Sequence, residues 1–183
     1  MYSRNSEPVR FERDCEAVLV PAGDQVTLPA GTVGYITQSL GGSWTVFVEG
    51  NLMRIAGKDA DAIGKEPPAP IELPEGATDE DVERLVWQQL RTCFDPEIPV
   101  NIVELGLVYA AEVVPREDGR RDVRVRMTLT APGCGMGEVL VDDVRSKVEL
   151  IPTVAEADVE LVFDPPWNQT LMSDVAKLET GLL

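Results

Sequence analysis

The chain has 183 residues, 44% hydrophobic and 26% charged, a globular balance with room for one good core or two small ones. Its 32 acids against 16 bases leave a formal net charge of -16, which makes nucleic acid and anionic membranes poor partners and favours cations or basic protein patches. It has no histidine and only three cysteines, Cys15, Cys93 and Cys134, without a CxxC spacing, so zinc-finger patterns and a histidine-activated cysteine hydrolase are excluded.

The opening "MYSRNSEPVRFERDCE" is polar and charged and does not look like a secretory signal. Apolar runs stay far short of a membrane span, so the expectation is a cytoplasmic protein without structural disulfides. From "AVLVP" onward the signals are short strands. Gly41-Gly42 and Gly50-Asn51 suggest hairpin turns, and Trp44, Val46 and Val48 alternate with Thr45, Phe47 and Glu49 at the period of a strand. Residues 1–63 are expected to form a small β-rich, barrel-like domain, a small barrel or a rolled sheet. "GKEPPAPIELPEGAT" then reads as a proline-rich linker over 64–76.

Residues 77–183 change pattern. Thr78 is an N-cap candidate with Asp81 three residues on, and Val82, Leu85, Val86, Leu90 and Cys93 recur at helical spacing. "LGLVYAAEVVP" and "DVRVRMTLT" predict two strands around a turn at Asp118-Gly119, with Val123, Val125, Met127 and Leu129 on one face. Arg124, Arg126, Thr128 and Thr130 take the other. A helix from about Gly137 to Leu150, a strand "DVELVFDPP" and a last helix with Met172, Val175 and Ala176 complete the order. The fold class is α+β: a small β-barrel-like unit, then a two-layer αββαβα domain with a mixed three-stranded sheet, helices on one side. "NQT" at Asn168 matches a glycosylation acceptor but suits a turn and helix cap, and Trp167 is expected in the core.

Two loops carry the chemistry. "TAPGCGMGEVL" places Cys134 where a strand meets a helix start, whose free N–H groups favour a thiolate. Gly133, Gly135 and Gly137 leave room beside the sulfur. Glu138 after Gly137 excludes a phosphate-binding Walker loop. A soft-metal or iron–sulfur ligand, a peroxidatic thiol and a small cysteine tucked under a helix all remain open. The second loop, "CFDPEIPVNIVELGLVY", holds Asp95, Glu97 and Glu104 between prolines that fix an extended path. A regular hairpin would bring both loops to one sheet edge.

"DPEIPVNIVELGLVY" followed by "TLTAPGCGMG" resembles the domain shared by the iron–sulfur assembly protein SufT, the phenylacetate-pathway protein PaaD and the eukaryotic cytosolic iron–sulfur targeting factors, over about Ala77 to Leu183. "RDCEAVLVPAG", "LPAGTVGYITQSLGGSWTV", "GNLMRIAGKDADAIG" and "VFDPPWNQTLMS" resemble the longer SufT branch and extend the likeness to nearly the whole chain. The resemblance implies a bacterial, non-enzymatic factor for iron–sulfur protein maturation that carries a labile cluster or docks the carrier to client apoproteins. Its partners would be an assembly scaffold and those clients. Onto this chain it transfers Asp95, Pro96, Glu97, Thr130, Pro132 and Cys134. Glu104 stands where relatives often have Asp, and Gly135 where many have Pro. One exposed cysteine does not supply four thiolates, so a homodimer sharing Cys134, with Cys93 or Cys15 as further ligands, would complete the shell. The alternatives are a metal-free adaptor and a thiol redox enzyme.

Overall fold

Apolar alternation in the front of the chain and helical periodicity in the rest build two separate cores. The computed structural model describes residues 6–95, 98–131 and 135–183. It divides into two compact units, Met1–Ala69 and Pro70–Leu183.

The first unit holds strands β1 (Glu7–Arg10), β2 (Cys15–Val20), β3 (Gln25–Leu28), β4 (Val33–Leu40), β5 (Ser43–Val48) and β6 (Asn51–Ile55), then a 3-10 helix over Gly57–Ile63. Tight two-residue turns join β4 to β5 and β5 to β6. At the first, Gly41 and Gly42 take φ of 61° and 79°, the left-handed geometry that matches strand twist. The second turn is Glu49-Gly50 rather than the expected Gly50-Asn51, because Val48 pairs with Asn51 and Glu49 takes φ 47°. The strands are antiparallel neighbours in the order β1-β4-β5-β6-β2-β3. The two end strands, four residues each, do not pair with each other. Among the described residues no ladder closes the sheet, so the barrel-like part of the expectation is not met. Its inner face is covered by Phe11 and by the 3-10 helix, which buries Ala60, Ala62 and Ile63. Arg13 clamps that helix through Asp59 at 3.1 Å and Asp61 at 2.7 Å. The ion pair holds the Asp61 carboxyl below its ordinary range.

The second unit follows the expected order: α1 (Asp79–Leu90), β7 (Val108–Pro115), β8 (Arg121–Met127), α2 (Gly137–Glu149), β9 (Val154–Leu161) and α3 (Asp174–Glu179). β7 pairs antiparallel and β9 parallel with the central β8. Helix α1 starts with a capping box: Thr78 Oγ1 accepts from Asp81 N at 3.2 Å while the Asp81 carboxylate accepts from Thr78 N at 2.9 Å. These bonds to Thr78 lower the Asp81 pKa. Val82, Val86 and Leu90 of α1 and Leu140, Val144 and Val148 of α2 are buried over Val123, Val125 and Met127 of β8. Each such side chain contributes on the order of 2 kcal/mol relative to leaving it in water. Arg124 and Arg126 stay exposed on the other face. The last helix is shorter than expected: Met172 precedes it, Ala176 is buried, and Val175 is 57% exposed.

Pro68 lies so close to Gly42 and Gly57 that a Cβ on either glycine would approach its Cγ to 3.0 and 3.1 Å. Ile71 and Leu73 pack on the core of the second unit. No helix among the described residues is long and apolar enough to cross a membrane.

Candidate functional site

The acidic loop leaves α1 and is closed by its own backbone. Phe94 bridges Asn101, and Ile102 N donates to Cys93 O at 2.9 Å. Asp95 Oδ1 accepts from Ile98 N, three residues on, at 3.2 Å. Asn101 Oδ1 accepts from both Val103 N at 3.1 Å and Glu104 N at 3.0 Å. It orders the turn that presents Glu104, whose residue is half-buried. Asn101 was not singled out from the sequence; an Asn three residues before an acid in a turn is the signal that marks it.

The hairpin then sets the exits of the two loops side by side. Val108 at the start of β7 pairs with Met127 at the end of β8, and Thr128 N donates to Leu107 O at 2.8 Å. Beyond β8, Leu129 is buried, Thr130 half-buried, and Ala131 and Gly135 exposed. Thr128 is fully buried, and its Oγ1 has no hydrogen-bond partner among the described residues. Pro96, Glu97, Pro132, Gly133 and Cys134 lie outside the described residues. Gly137, expected to give room to the thiol, has a packing reason of its own. A Cβ there would meet Leu129 Cδ1 at 2.8 Å, so its bareness lets α2 sit against the end of the sheet.

The other two sulfurs are enclosed. Cys93 is 0% exposed in the second core, its Sγ 3.6 Å from Gln89 O. Cys15 is 1% exposed in the first core, and burial first, then the Asp59 charge, pushes its thiol pKa up. Among the described residues no three Cys, Asp or Glu side chains gather into a metal-holding group.

A segment near the C-terminus braces the acidic loop. Trp167 is half-buried against the second core, and its Nε1 donates to Leu105 O at 2.7 Å. Ser173 N donates to Glu104 O at 2.8 Å, and Tyr109 Oη to Pro165 O at 2.7 Å. Gly106, at φ 74°, lies under Leu171 so closely that a Cβ would stand 2.3 Å from its carbonyl oxygen. Asn168 accepts from Thr170 N at 2.9 Å and caps the short turn between, the role expected of the "NQT" triplet. Beside this brace, on the helix-free face, a cleft of about 440 Å³ opens among Gly106, Tyr109, Arg126, Asp164 and Leu171.

The site is thus a rigid acidic turn next to the exit of the central strand, with one helix start following. The model of a family described as "Iron-sulfur cluster assembly protein" matches residues 83–160, from within α1 to the end of β9. The chain is 46% identical over 106 residues to an Fe-S protein maturation auxiliary factor of Porphyromonas gingivalis, spanning 58% of this chain and 93% of that protein. It is 40% identical over 88 residues to the Fe-S protein maturation auxiliary factor SufT of Staphylococcus aureus (48% of this chain, 96% of that one). To the auxiliary factor YitW of Bacillus subtilis it is 36% identical over 104 residues, 57% of this chain and 98% of that one. Matched to these relatives over almost their whole length, the chain belongs to the SufT-type family of iron–sulfur cluster assembly proteins.

Proposed function

We propose that this chain is an auxiliary factor in iron–sulfur protein maturation that passes a labile cluster to client apoproteins, or steers its carrier to them, through Cys134 and the acidic turn beside it. The observation that carries this is the 46% identity to an Fe-S protein maturation auxiliary factor across 93% of that protein. The geometry supports it: Leu107 and Thr128 join the acidic loop to the strand that leads to Cys134. On this reading the cluster is cargo rather than a resident cofactor, the chain has no catalytic turnover of its own, and it works in the cytoplasm with an assembly scaffold and the clients. Asp95, Glu97 and Glu104 supply carboxylates, while Thr130, Gly133 and Gly135 shape the loop.

The burial of Cys15 and Cys93 bears on the ligand count. A cluster commonly takes four thiolates, and one chain then offers only Cys134. A homodimer in which two Cys134 sulfurs meet, completed by carboxylates or a small thiol, is the form that holds cargo. The same burial favours a second reading, a metal-free adaptor that grips the assembly machinery with these loops. Anaerobic reconstitution with iron and sulfide separates the two. Visible absorption in the wild type that Cys134→Ala abolishes and Cys93→Ala retains is the expected result. Equal absorption in wild type and Cys134→Ala removes Cys134 as a ligand; none in either leaves the adaptor.

A further inference from the structure

The relatives named above span about half of this chain, and the family match lies wholly in the second unit, so the first unit calls for a role of its own. Its sheet has a feature that folding alone does not require. Tyr35 on β4 stands opposite Phe47 on β5, Phe47 opposite Leu52 on β6, and Leu52 opposite Val20 on β2. Pro8 on β1 stands opposite Tyr35. Five apolar side chains thus form one row across five adjacent strands. The row is on the outer face, because the residues flanking it along the strands, Val9, Ile36, Val46 and Met53, point into the core. Tyr35 is 43% and Leu52 38% exposed, and Val33, opposite Arg10 in the next row, is 62% exposed.

We infer that this face is where two copies of the chain meet, packing sheet against sheet. Charge selects the occupant. The first unit has nine acids and six bases, whereas the second has 23 acids and 10 bases. Two copies repel one another over the second unit far more than over the first. On the outer sheet face the charges nearly cancel: Arg10 and Arg54 are set against Glu16 and, in the adjoining turn, Glu49. A second copy of the same face therefore meets little net repulsion there, and the apolar row is buried. The row spans about 19 Å at ~4.8 Å per strand, so the contact falls at the small end of specific interfaces and yields a weak dimer, on the order of micromolar. Face-to-face sheets at ~10 Å bring such rows into contact.

This inference does not depend on the cargo of the proposed function, so it is tested on the metal-free chain. Sedimentation of the full-length protein across a range of concentrations reads the mass. The wild type is expected to move from 20.0 kDa toward twice that value. Tyr35→Lys and Leu52→Lys, each with an unchanged circular dichroism spectrum, are expected to remain at 20.0 kDa to at least tenfold higher concentration. Added salt is expected to tighten the wild-type dimer, because screening relieves repulsion between the acidic units. A wild type that dimerises equally well after both substitutions overturns this interface and leaves the homodimer standing on another surface. A wild type that stays monomeric at several hundred micromolar overturns both, while iron binding at Cys134 is decided separately by reconstitution. Because the two substitutions lie at different exposed positions, a folded product of either one suffices.

Discussion

The two units solve the same problem in opposite ways. Each has a sheet with one face buried. The second covers that face with α1 and α2 and leaves its outer face polar, with Arg126 between Ala110 and Glu160 and Arg124 between Glu112 and Asp158. The first covers its inner face with a single short helix and a few side chains, and its outer face keeps an apolar row. A polar outer face needs nothing further. An apolar one keeps surface that a partner can cover, as the inference above holds. Under the two proposals above the labour is divided: the second unit carries the loops for cargo, and the first carries a surface for association.

Substitutions that act where backbone meets backbone sharpen this contrast most. Gly106→Val sets a branched side chain at φ 74° against the Leu171 carbonyl. It is expected to destabilise the second unit by about 4 kcal/mol or to prevent its folding, read as a lowered urea midpoint. Equivalent core truncations come next. Ile55→Ala in the first unit and Leu107→Ala in the second, both 0% exposed, are each expected to lose about 3 kcal/mol. If Ile55→Ala cost almost nothing, the first unit would not be held by the core described. Leu52→Ser on the outer face is expected to change unfolding by about 0.5 kcal/mol or less while weakening association.

Thr78→Ala breaks the capping box and is expected to cost about 1 kcal/mol, seen as faster amide exchange in the first turn of α1. The Asp81 carboxylate adds a pH signature. Its pKa is lower folded than unfolded, so its contribution is present above the unfolded value and is lost as pH falls through the folded one. Asp81→Asn, which cannot ionise, should therefore flatten the acid limb of the stability profile, whereas Thr78→Ala keeps the backbone bond and most of that limb. The smallest effect is alkaline. The Cys15 thiol has its pKa raised on folding, so its contribution is intact below the unfolded pKa and declines as pH rises past it. Cys15→Ala is expected to remove that decline.

Periodic features were readable before the fold was known, and features made by distant partners were not. The α1 stripe and its Thr78–Asp81 box lie within one local stretch, and the alternation of β8 is carried by its own seven residues. Strand β1 escaped notice because Pro8 and its charged neighbours carry no β signal. Its pairing with β4, from Glu7–Ile36 to Arg10–Val33, supplies the order. The hairpin at Glu49 was displaced by one residue since an acid rarely advertises a positive φ. The number of short strands does not tell a closed sheet from a rolled one, because closure depends on whether the end strands reach each other. At the site, the spacing of Asp95, Glu104 and Cys134 was visible, whereas the brace of Trp167 on Leu105, 62 residues away, was not.

The most direct test of the central claim is the activity of an iron–sulfur enzyme in cells that lack this chain and are supplied with wild type, Cys134→Ser or Cys93→Ser. Wild type and Cys93→Ser restoring activity, with Cys134→Ser failing at equal abundance, is the predicted result. Full restoration by Cys134→Ser would contradict it.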